Sequence, residues 1–437
     1  MPPQIWILAL GRLCLQTGSG FVLFYTTIFF VNEVGLPAAL VGFAVGCQSI
    51  AGIGGRFLGG ISCDSRYGGR RGTLLLAAAI IALGDAGLAI ADNLPRLILA
   101  NLLLGLGIGI YWPTIDTIIA DLTTENKRHE SYAIAAVADT VGLASGTFLG
   151  GQIIGRWENY RILFILQGTA ALVFFIIISL AITEPDREQN KPLNLQKNWL
   201  VVFRDRTVLL YIFVNTFFIF YISQIYNTLS LYFTNFIANV ETGSSLEIEE
   251  ISFFITYYIS LNALCQIPIA RVLKKGDRIF GLISSLLFWG SGFLCLSTIS
   301  IFPAATIFLI VIAMTLFSLG TMTHGPSAFA LMAYLAPQSL RGIYFSWSNQ
   351  SWAIAFSLGP IIGGGVMGFA IEQNAAIAHV YWLTIAATTA IGIGILIYIQ
   401  RLISVTSHQS PVTSYQSSVT SHQSPVKEKR KTAKGDE

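Results

Sequence analysis

The chain has 437 residues, of which 54% are hydrophobic and only 11% are charged, and its mean hydropathy is +0.65. Because so few charged residues cannot cover the surface of a soluble protein of this length, the composition predicts a membrane protein with several spans. The five cysteines contain no CxxC pair, and this spacing favours neither a zinc site nor a disulfide framework.

Twelve apolar segments follow one another, each long enough for the roughly 20 residues that a helix needs to cross a bilayer. The predicted spans are 5–31, 38–62, 73–91, 95–120, 131–155, 160–182, 207–235, 251–272, 279–301, 303–333, 343–369 and 376–402. The first span is too long for the core of a signal peptide, so we expect it to be retained.

The distribution of lysine and arginine predicts the orientation of the chain through the positive-inside rule. With a cytoplasmic N-terminus, only Arg96, Arg156 and Arg161 lie outside, and Arg12 lies within the first span. Asn349 begins an N-x-S sequence inside a span, and the external loops contain none. We therefore expect an integral protein of the plasma membrane, in a bacterial inner membrane, with both termini cytoplasmic. The net charge of +3 follows from this topology and gives no reason to expect a nucleic acid partner.

The longest internal loop divides the spans six and six. We predict an N-terminal six-helix bundle over 1–182, a cytoplasmic loop over 183–206, a C-terminal six-helix bundle over 207–402 and a disordered cytoplasmic tail over 403–437. The tail contains VTSHQSPV twice and is polar and low in complexity, which is typical of disorder.

Several residues of the first half recur in the second half at a constant offset of 213 positions. The matches run without a gap through a helix, a loop and a second helix, which predicts that the halves are parallel repeats. The matched pairs are Gly107 with Gly320, Pro113 with Pro326, Ala120 with Ala333, Leu122 with Leu335, Arg128 with Arg341, Gly146 with Gly359, Gly150 with Gly363, Gly151 with Gly364 and Gly155 with Gly368.

Two short motifs resemble patterns of the major facilitator superfamily, and the resemblance covers about residues 5–402. The loop GGISCDSRYGGRR is similar to the family's G-x-x-x-D-R-x-G-R-R/K but is two residues longer. The stretch GLASGTFLGG in the fifth span resembles the G-x-x-x-G-P-x-x-G-G pattern of antiporters, with Thr147 where proline is expected. The motif residues are Gly60, Asp64, Arg66, Gly68, Arg70 and Arg71 in the loop, Gly142, Gly146, Gly150 and Gly151 in the fifth span, and the duplicates Gly359, Pro360, Gly363 and Gly364.

The resemblance implies an all-α fold of twelve transmembrane helices in two six-helix bundles related by a parallel repeat. It also implies a conformational latch at the loop. Asp64 would cap the start of the eleventh span near Gly342, where the helix dipole favours an anion, and Arg70 or Arg66 would meet Asp121. We assign Arg341, in the equivalent loop of the second half, to the same latch. Simple positive-inside anchoring is the alternative, but it explains neither Asp64 nor the glycines.

In this family the first, fourth, seventh and tenth spans line a central cavity. Polar and aromatic residues of those spans, with Asp139 of the fifth, are therefore candidates for substrate binding or coupling. They are Arg12, Gln16, Asn101, Tyr111, Trp112, Asp116, Asn215, Gln224, Tyr226, Asn227 and His324.

Arg12 and Asp139 lie at similar depth, on the order of 12 Å from the inner ends of their helices, so they can pair. Such a pair is either structural or takes part in substrate or proton coupling. Asp116 is the second acid able to join it. His324 either lines the cavity or forms a hydrogen bond within the bundle, and the sequence suggests no partner for Asp85.

The sequence therefore predicts a secondary active transporter that moves a small organic solute by alternating access. The fifth-span glycines favour efflux coupled to protons. We expect a monomer in the lipid bilayer, with no enzymatic activity, no cofactor and no metal, since no nucleotide-binding loop and no metal-ligand spacing occur. Drug exporters of this family usually carry an arginine in the fourth span, four residues before a glycine. This chain has Asn101 at that place, before Gly105. A sugar or organic-acid importer, a uniporter, and a non-transporting sensor or assembly protein remain alternatives.

Overall fold

The structure is a computed structural model that describes residues 2–64, 69–123, 125–182, 199–237, 245–273, 278–337 and 341–409. These residues form twelve long helices. The helices are α1 Pro3–Glu33, α2 Ala38–Asp64, α3 Gly69–Ile90, α4 Leu94–Leu122, α5 Glu125–Trp157, α6 Arg161–Ala181, α7 Arg206–Phe236, α8 Ile248–Leu273, α9 Arg278–Thr298, α10 Thr306–Leu335, α11 Arg341–Glu372 and α12 Ala376–Gln409.

Eleven helices of the described part are long and apolar enough to cross a membrane. The remaining long helix, α8, has 26 residues and carries Glu249 and Glu250 in its first turn and Arg271 in its last. Its length is that of the other spans. The prediction of a twelve-helix membrane fold is confirmed.

Local sequence signals begin two of these helices. The Asn93 side chain accepts a hydrogen bond from the Arg96 backbone N–H at 3.1 Å, and a proline follows in the first turn of α4. Asp205 accepts hydrogen bonds from the backbone N–H groups of Thr207 and Val208, both at 3.1 Å, at the start of α7. These side chains satisfy N–H groups that have no partner within the helix.

The first and seventh helices, which correspond in the two halves, are both irregular. α1 consists of Pro3–Leu23, Thr26–Ile28 and a π-helical turn over Phe29–Glu33. α7 contains a π-helical turn over Gln224–Thr228 between two regular segments. Such turns rotate the side chains that follow them and often occur at functional sites.

Packing between the helices divides the structure into two bundles of six. In the first bundle α1 packs on α5 and α6, α2 on α4, and α3 on α4 and α6. In the second, α7 packs on α11 and α12, α8 on α10, and α9 on α10 and α12. The two sets of contacts correspond helix by helix, as parallel repeats require.

The glycines of α5 lie at two different interfaces. A side chain on Gly146 would collide with the backbone of Thr17 in α1, and a side chain on Gly150 would meet the ring of Tyr25. Gly151 instead faces Ser252 of α8, in the other bundle. Small residues therefore allow α5 to approach both a neighbour in its own bundle and a helix of the second bundle.

The duplicated residues of α11 repeat this arrangement. A side chain on Gly363 would meet Thr228 of α7 within the second bundle, whereas Gly364 lies against Ala38 and Gly42 of α2 in the first. α5 and α8, and α11 and α2, are thus the equivalent helix pairs that join the bundles.

The bundles touch at one end and separate toward the other. Gly42 contacts Pro360, and Gly46 lies beside Ser357, at the end of the molecule that also carries Glu249; we call this the Glu249 end. Farther along the same two helices, Arg56 and Trp352 line a cavity instead of touching. Within the described residues, the structure is therefore closed at the Glu249 end and open toward the opposite end, which we call the Arg70 end.

The last helix is longer than the sequence predicts. α12 continues to Gln409, past the predicted boundary at residue 402, because no helix breaker precedes Pro411. The start of the predicted tail is therefore helical. Residues 410–437, and residues 183–198 of the loop between the bundles, lie outside the described residues, so those domain boundaries stay predictions.

Candidate functional site

The main cavity has a volume of about 300 Å³ and lies between the two bundles. Gln16, Tyr111, Trp112 and Tyr226, all expected from the sequence, contribute to its wall. A cavity of about 110 Å³ shares part of this wall and is also lined by Asn101 and Asn227. Another, of about 200 Å³, shares Gln16 and Tyr226 and adds Asp139.

Arg12 lies at the centre of a buried ion cluster in the first bundle. Its Nε donates a hydrogen bond to Asp139 Oδ1 at 2.9 Å, and its Nη2 donates to Oδ2 of the same carboxylate. Its Nη1 lies 3.9 Å from Asp116 Oδ1, and its guanidinium lies over the ring of Trp112, 5.4 Å from the centroid. One cation therefore faces two carboxylates and one aromatic ring.

The two carboxylates of this cluster differ in their access to solvent. The side chain of Asp139 is 16% exposed, whereas that of Asp116 is 54% exposed and that of Arg12 only 5%. Asp116 is thus the more accessible carboxylate, and Asp139 is the one that holds the arginine. Arg12 Nη1 has no hydrogen-bond acceptor among the described residues, so one donor of the guanidinium is free to bind Asp116 or a ligand.

His324 lies in a separate small cavity of the second bundle. Its Nε2 is hydrogen bonded to Asn215 Oδ1 at 2.9 Å, and its ring stacks on Phe218 with centroids 4.3 Å apart. Both His324 and Asn215 line a cavity of about 120 Å³ between α7, α10 and α11. His324 therefore forms a hydrogen bond within the second bundle and lines this small cavity, not the main cavity.

Three predicted polar residues use their side chains in local contacts. Gln224 is fully buried; its Nε2 donates to the Gly359 carbonyl at 3.3 Å, and its Oε1 accepts from the Tyr381 hydroxyl at 2.8 Å. It therefore joins α7 to α11 and α12 and does not line the main cavity, contrary to the expectation from the sequence. Asn101 and Asn227 line the smaller cavity but donate to carbonyls of their own helices.

The predicted latch is only partly described. Arg70 forms an ion pair with Asp121, and Arg71 donates a hydrogen bond to the Ser179 carbonyl. Arg70 and Arg71 thus hold the start of α3 against α4 and α6 within the first bundle. Gly60 has open space around its Cα.

The other residues of the latch cannot be placed. Arg66 and Gly68, and the side chains of Asp64 and Arg341, lie outside the described residues. The predicted cap of α11 by Asp64 stays a prediction.

Several cavity residues were not expected from the sequence because they lie on α2, α6 and α11. Gln48, Ser49, Gly52 and Arg56 form one face of α2 at helical spacing and line the main cavity. Gln167 of α6 and Ala353 and Phe356 of α11 also line the cavity, and Trp352, an aromatic residue that the sequence offers for stacking on a substrate, lies beside them. The helical spacing of the α2 residues could have indicated this face. The positive-inside rule instead explains Arg56 as a charge on the cytoplasmic side.

Asp85 is an additional buried acid away from the Arg12 cluster. It is completely buried on α3, where its Cβ packs against Gly168 of α6. Neither carboxylate oxygen has a hydrogen-bond partner among the described residues. The described part of the structure therefore contains no hydrogen-bond partner for Asp85, and the sequence suggests none.

The family model of the Major Facilitator Superfamily matches residues 8–246, more than half of the chain. The chain belongs to the major facilitator superfamily. This superfamily member is an integral membrane transporter of small molecules and not an enzyme, as predicted.

Relatives of this superfamily member extend over most of its length. Multidrug resistance protein MdtH of Yersinia enterocolitica is 27% identical over 374 residues, covering 83% of this chain and 86% of the relative. MdtH of Proteus mirabilis is 25% identical over 388 residues, covering 87% and 91%. The uncharacterized MFS-type transporter YttB of Bacillus subtilis is 24% identical over 373 residues, covering 83% and 88%.

Solved structures share the fold of this superfamily member at low sequence identity. The nucleoside transporter NupG superimposes with a TM-score of 0.77 at 15% identity, over 91% of this chain and 99% of that one. A D-xylose-proton symporter gives a TM-score of 0.69 at 17% identity, over 90% and 96%. At this level of identity the likeness shows the fold alone.

Proposed function

We propose that the protein exports a small organic compound across a bacterial inner membrane in exchange for protons, as a monomer and by alternating access. The observation that carries this proposal is the Arg12–Asp139–Asp116 cluster beside the central cavity. Ionisable residues within membrane spans are costly to maintain without a partner, and they commonly belong to proton or substrate pathways.

The cluster can couple proton binding to substrate binding through competition for one guanidinium. With Asp139 ionised, Arg12 is held by two hydrogen bonds. A proton taken up by Asp139 removes the charge that holds Arg12, whose guanidinium can then turn to Asp116, 3.9 Å away. The reverse movement releases the proton. This exchange changes the charge presented to the cavity, which an antiporter requires if proton and substrate are to bind in turn.

The packing of the bundles supports alternating access. At the Glu249 end, Gly42 of α2 lies against Pro360 and Gly364 of α11, and Gly46 lies against Ser357 and Ile361, so small residues form much of the contact between the bundles and few large side chains interlock there. The Arg70–Asp121 ion pair lies at the opposite end. The positive-inside pattern favours a cytoplasmic position for the Arg70 end, so the open cavity would receive its substrate from the cytoplasm.

The relatives support export over import. Two of the proteins compared above are named multidrug resistance proteins, and they align with more than four fifths of this chain. A sugar or organic-acid importer of the same fold is the alternative, and the direction of flux distinguishes the two.

Everted membrane vesicles from a host that lacks its main drug exporters provide the test. Fluorescent compounds of either charge, such as the anion fluorescein and the cation ethidium, are added outside the vesicles, the proton gradient is generated by respiration, and their accumulation is followed with and without an uncoupler. We expect accumulation that the uncoupler abolishes and that Asp139→Asn reduces. Arg96→Gln is the matched control, because Arg96 pairs with Asp92 at an exposed position.

Three results would argue against the proposal. Transport that is unchanged by the uncoupler would identify a uniporter, and uptake of solute into right-side-out vesicles down a proton gradient would identify an importer. Absence of any gradient-dependent flux across a broad panel of compounds, with normal folding, would favour a non-transporting protein.

A further inference from the structure

Arg56 is a half-buried cation in the wall of the main cavity. It lies on the face of α2 that also carries Gln48 and Gly52, and this face points between the bundles. Gly55, its neighbour, packs closely on Gly109 of α4, so α2 cannot move away from α4 without losing this contact. The helix therefore presents the arginine to the cavity in a fixed position.

The charge of Arg56 has no counter-ion in the described part of the structure. No ion pair or hydrogen bond joins its side chain to another described residue. Among the described residues that line the main cavity, Arg56 is also the only charged one. Arg12, by contrast, is held by Asp139. The main cavity thus carries an uncompensated positive charge.

An aromatic surface of the second bundle lies across the cavity from α2. Trp352 and Phe356 are one turn apart on α11, and their rings stack with centroids 5.4 Å apart and planes inclined by 17°. Tyr226 of α7 packs on Phe356 at 6.0 Å. All three line the main cavity. The surface is aromatic, and its polar groups are the Tyr226 hydroxyl and the Trp352 indole N–H.

We propose that the main cavity binds amphipathic organic anions, with Arg56 holding the anionic group and the Tyr226–Trp352–Phe356 surface holding an aromatic body. This inference deepens the proposed transport function and rests on it. A guanidinium binds a carboxylate through two parallel hydrogen bonds, and a planar ring stacks favourably on aromatic side chains. The two groups belong to different bundles, so one ligand would contact both.

Equilibrium binding to protein in nanodiscs of zwitterionic lipid tests this proposal. The probes are 2-naphthoate, its neutral amide 2-naphthamide and the cation 2-naphthylmethylammonium, which share one ring system and differ in charge. Equilibrium dialysis against empty nanodiscs corrects for partition into lipid. We expect the wild type to bind naphthoate about tenfold more tightly than naphthamide, which is the effect of one charge-assisted contact.

Three variants assign the effect to its parts. Arg56→Gln is expected to reduce the preference for naphthoate to about one while the affinity for naphthamide stays unchanged. Arg56→Lys retains the charge and loses the two-point geometry, so we expect an intermediate ratio. Trp352→Leu is expected to weaken the binding of naphthoate and of naphthamide equally. Arg96→Gln, at an exposed position, is expected to change neither affinity.

The inference is overturned if the wild type shows no preference for naphthoate, if it does not bind naphthoate, or if it prefers the cation. It is also overturned if Arg56→Gln keeps the preference, or if this variant, monodisperse by size exclusion, loses all three probes equally. Binding is measured without a proton gradient. Failure of proton-driven export with an intact preference would therefore contradict only the proposed coupling, and the reverse result would contradict only the anion site.

Discussion

Arg12 of α1 and Asp139 of α5 bind each other through two hydrogen bonds, with Nε to Oδ1 at 2.9 Å. The pair is almost completely shielded on the arginine side and lies within one bundle. Removing one member of such a pair leaves an uncompensated charge in the membrane, whereas removing both leaves none. This difference allows the structural and the coupling roles of the pair to be separated.

We predict that Asp139→Asn reduces proton-driven flux by at least about tenfold and retains exchange of substrate down its own gradient, because Asn still accepts a hydrogen bond from Arg12 but cannot bind a proton. Arg12→Ala is expected to impair both activities and to cost about 3–5 kcal/mol of stability. Flux and counterflow in proteoliposomes measure this. The double variant Arg12→Met with Asp139→Leu should regain stability without regaining coupling. Normal coupling in Asp139→Asn would transfer the role to Asp116.

The Arg70–Asp121 pair is predicted to stabilise one conformation of the transporter. Arg70→Gln should change the balance between the two conformations about fivefold, which corresponds to about 1 kcal/mol for a partly exposed ion pair. The rate at which a maleimide labels a cysteine introduced at Ser49, in the cavity wall, reports this balance in a background without the five native cysteines. Exchanging the two charges, Arg70→Asp with Asp121→Arg, should partly restore it. If Arg70→Gln leaves labelling unchanged, the pair serves only to anchor α3.

Adjacent glycines of α11 offer a matched test of the interface between the bundles. Gly364 lies against Ala38 and Gly42 of α2, whereas Gly365 has open space beside it. We predict that Gly364→Leu lowers stability by about 1–3 kcal/mol through overpacking and prevents closure of the Glu249 end, while Gly365→Leu has little effect. Thermal unfolding and vesicle transport measure the two consequences. Equal behaviour of the two variants would mean that this contact does not limit function.

The buried carboxylate of Asp85 is predicted to lower the free energy of unfolding of the wild-type protein. Its carboxylate is fully buried and has no hydrogen-bond partner in the described structure, and such a group costs about 1–3 kcal/mol or more when charged. Asp85→Asn keeps the shape and removes the charge, so we expect a higher unfolding temperature with unchanged transport. Asp92→Asn is the control, because Asp92 forms only an exposed pair. A lower unfolding temperature in Asp85→Asn would show that the acid has a partner in the membrane.

Much of the fold could be predicted from the sequence because the bilayer imposes a length and a charge rule on every span. The predicted twelve-helix architecture is confirmed, with α12 extending farther than expected. The positions of Arg12 and Asp139 at equal depth also follow from residue counting, since each residue of a helix advances by a fixed rise. The glycines of α5 and α11 could be identified as packing residues because no side chain separates the backbones there.

The tertiary structure alone decided which side chains face the cavity. These helices are apolar on most sides, so hydrophobic periodicity does not show how each one is rotated. From the sequence, Arg56 therefore resembles an ordinary cytoplasmic charge. In the structure, the packing of α2 on α4 places it in the wall of the main cavity. Gln224 has the composition of a cavity residue, but the rotation of α7 places it against Gly359 and Tyr381. Length and charge are local properties of a segment, whereas helix rotation and the separation of the bundles result from contacts between residues far apart in the chain.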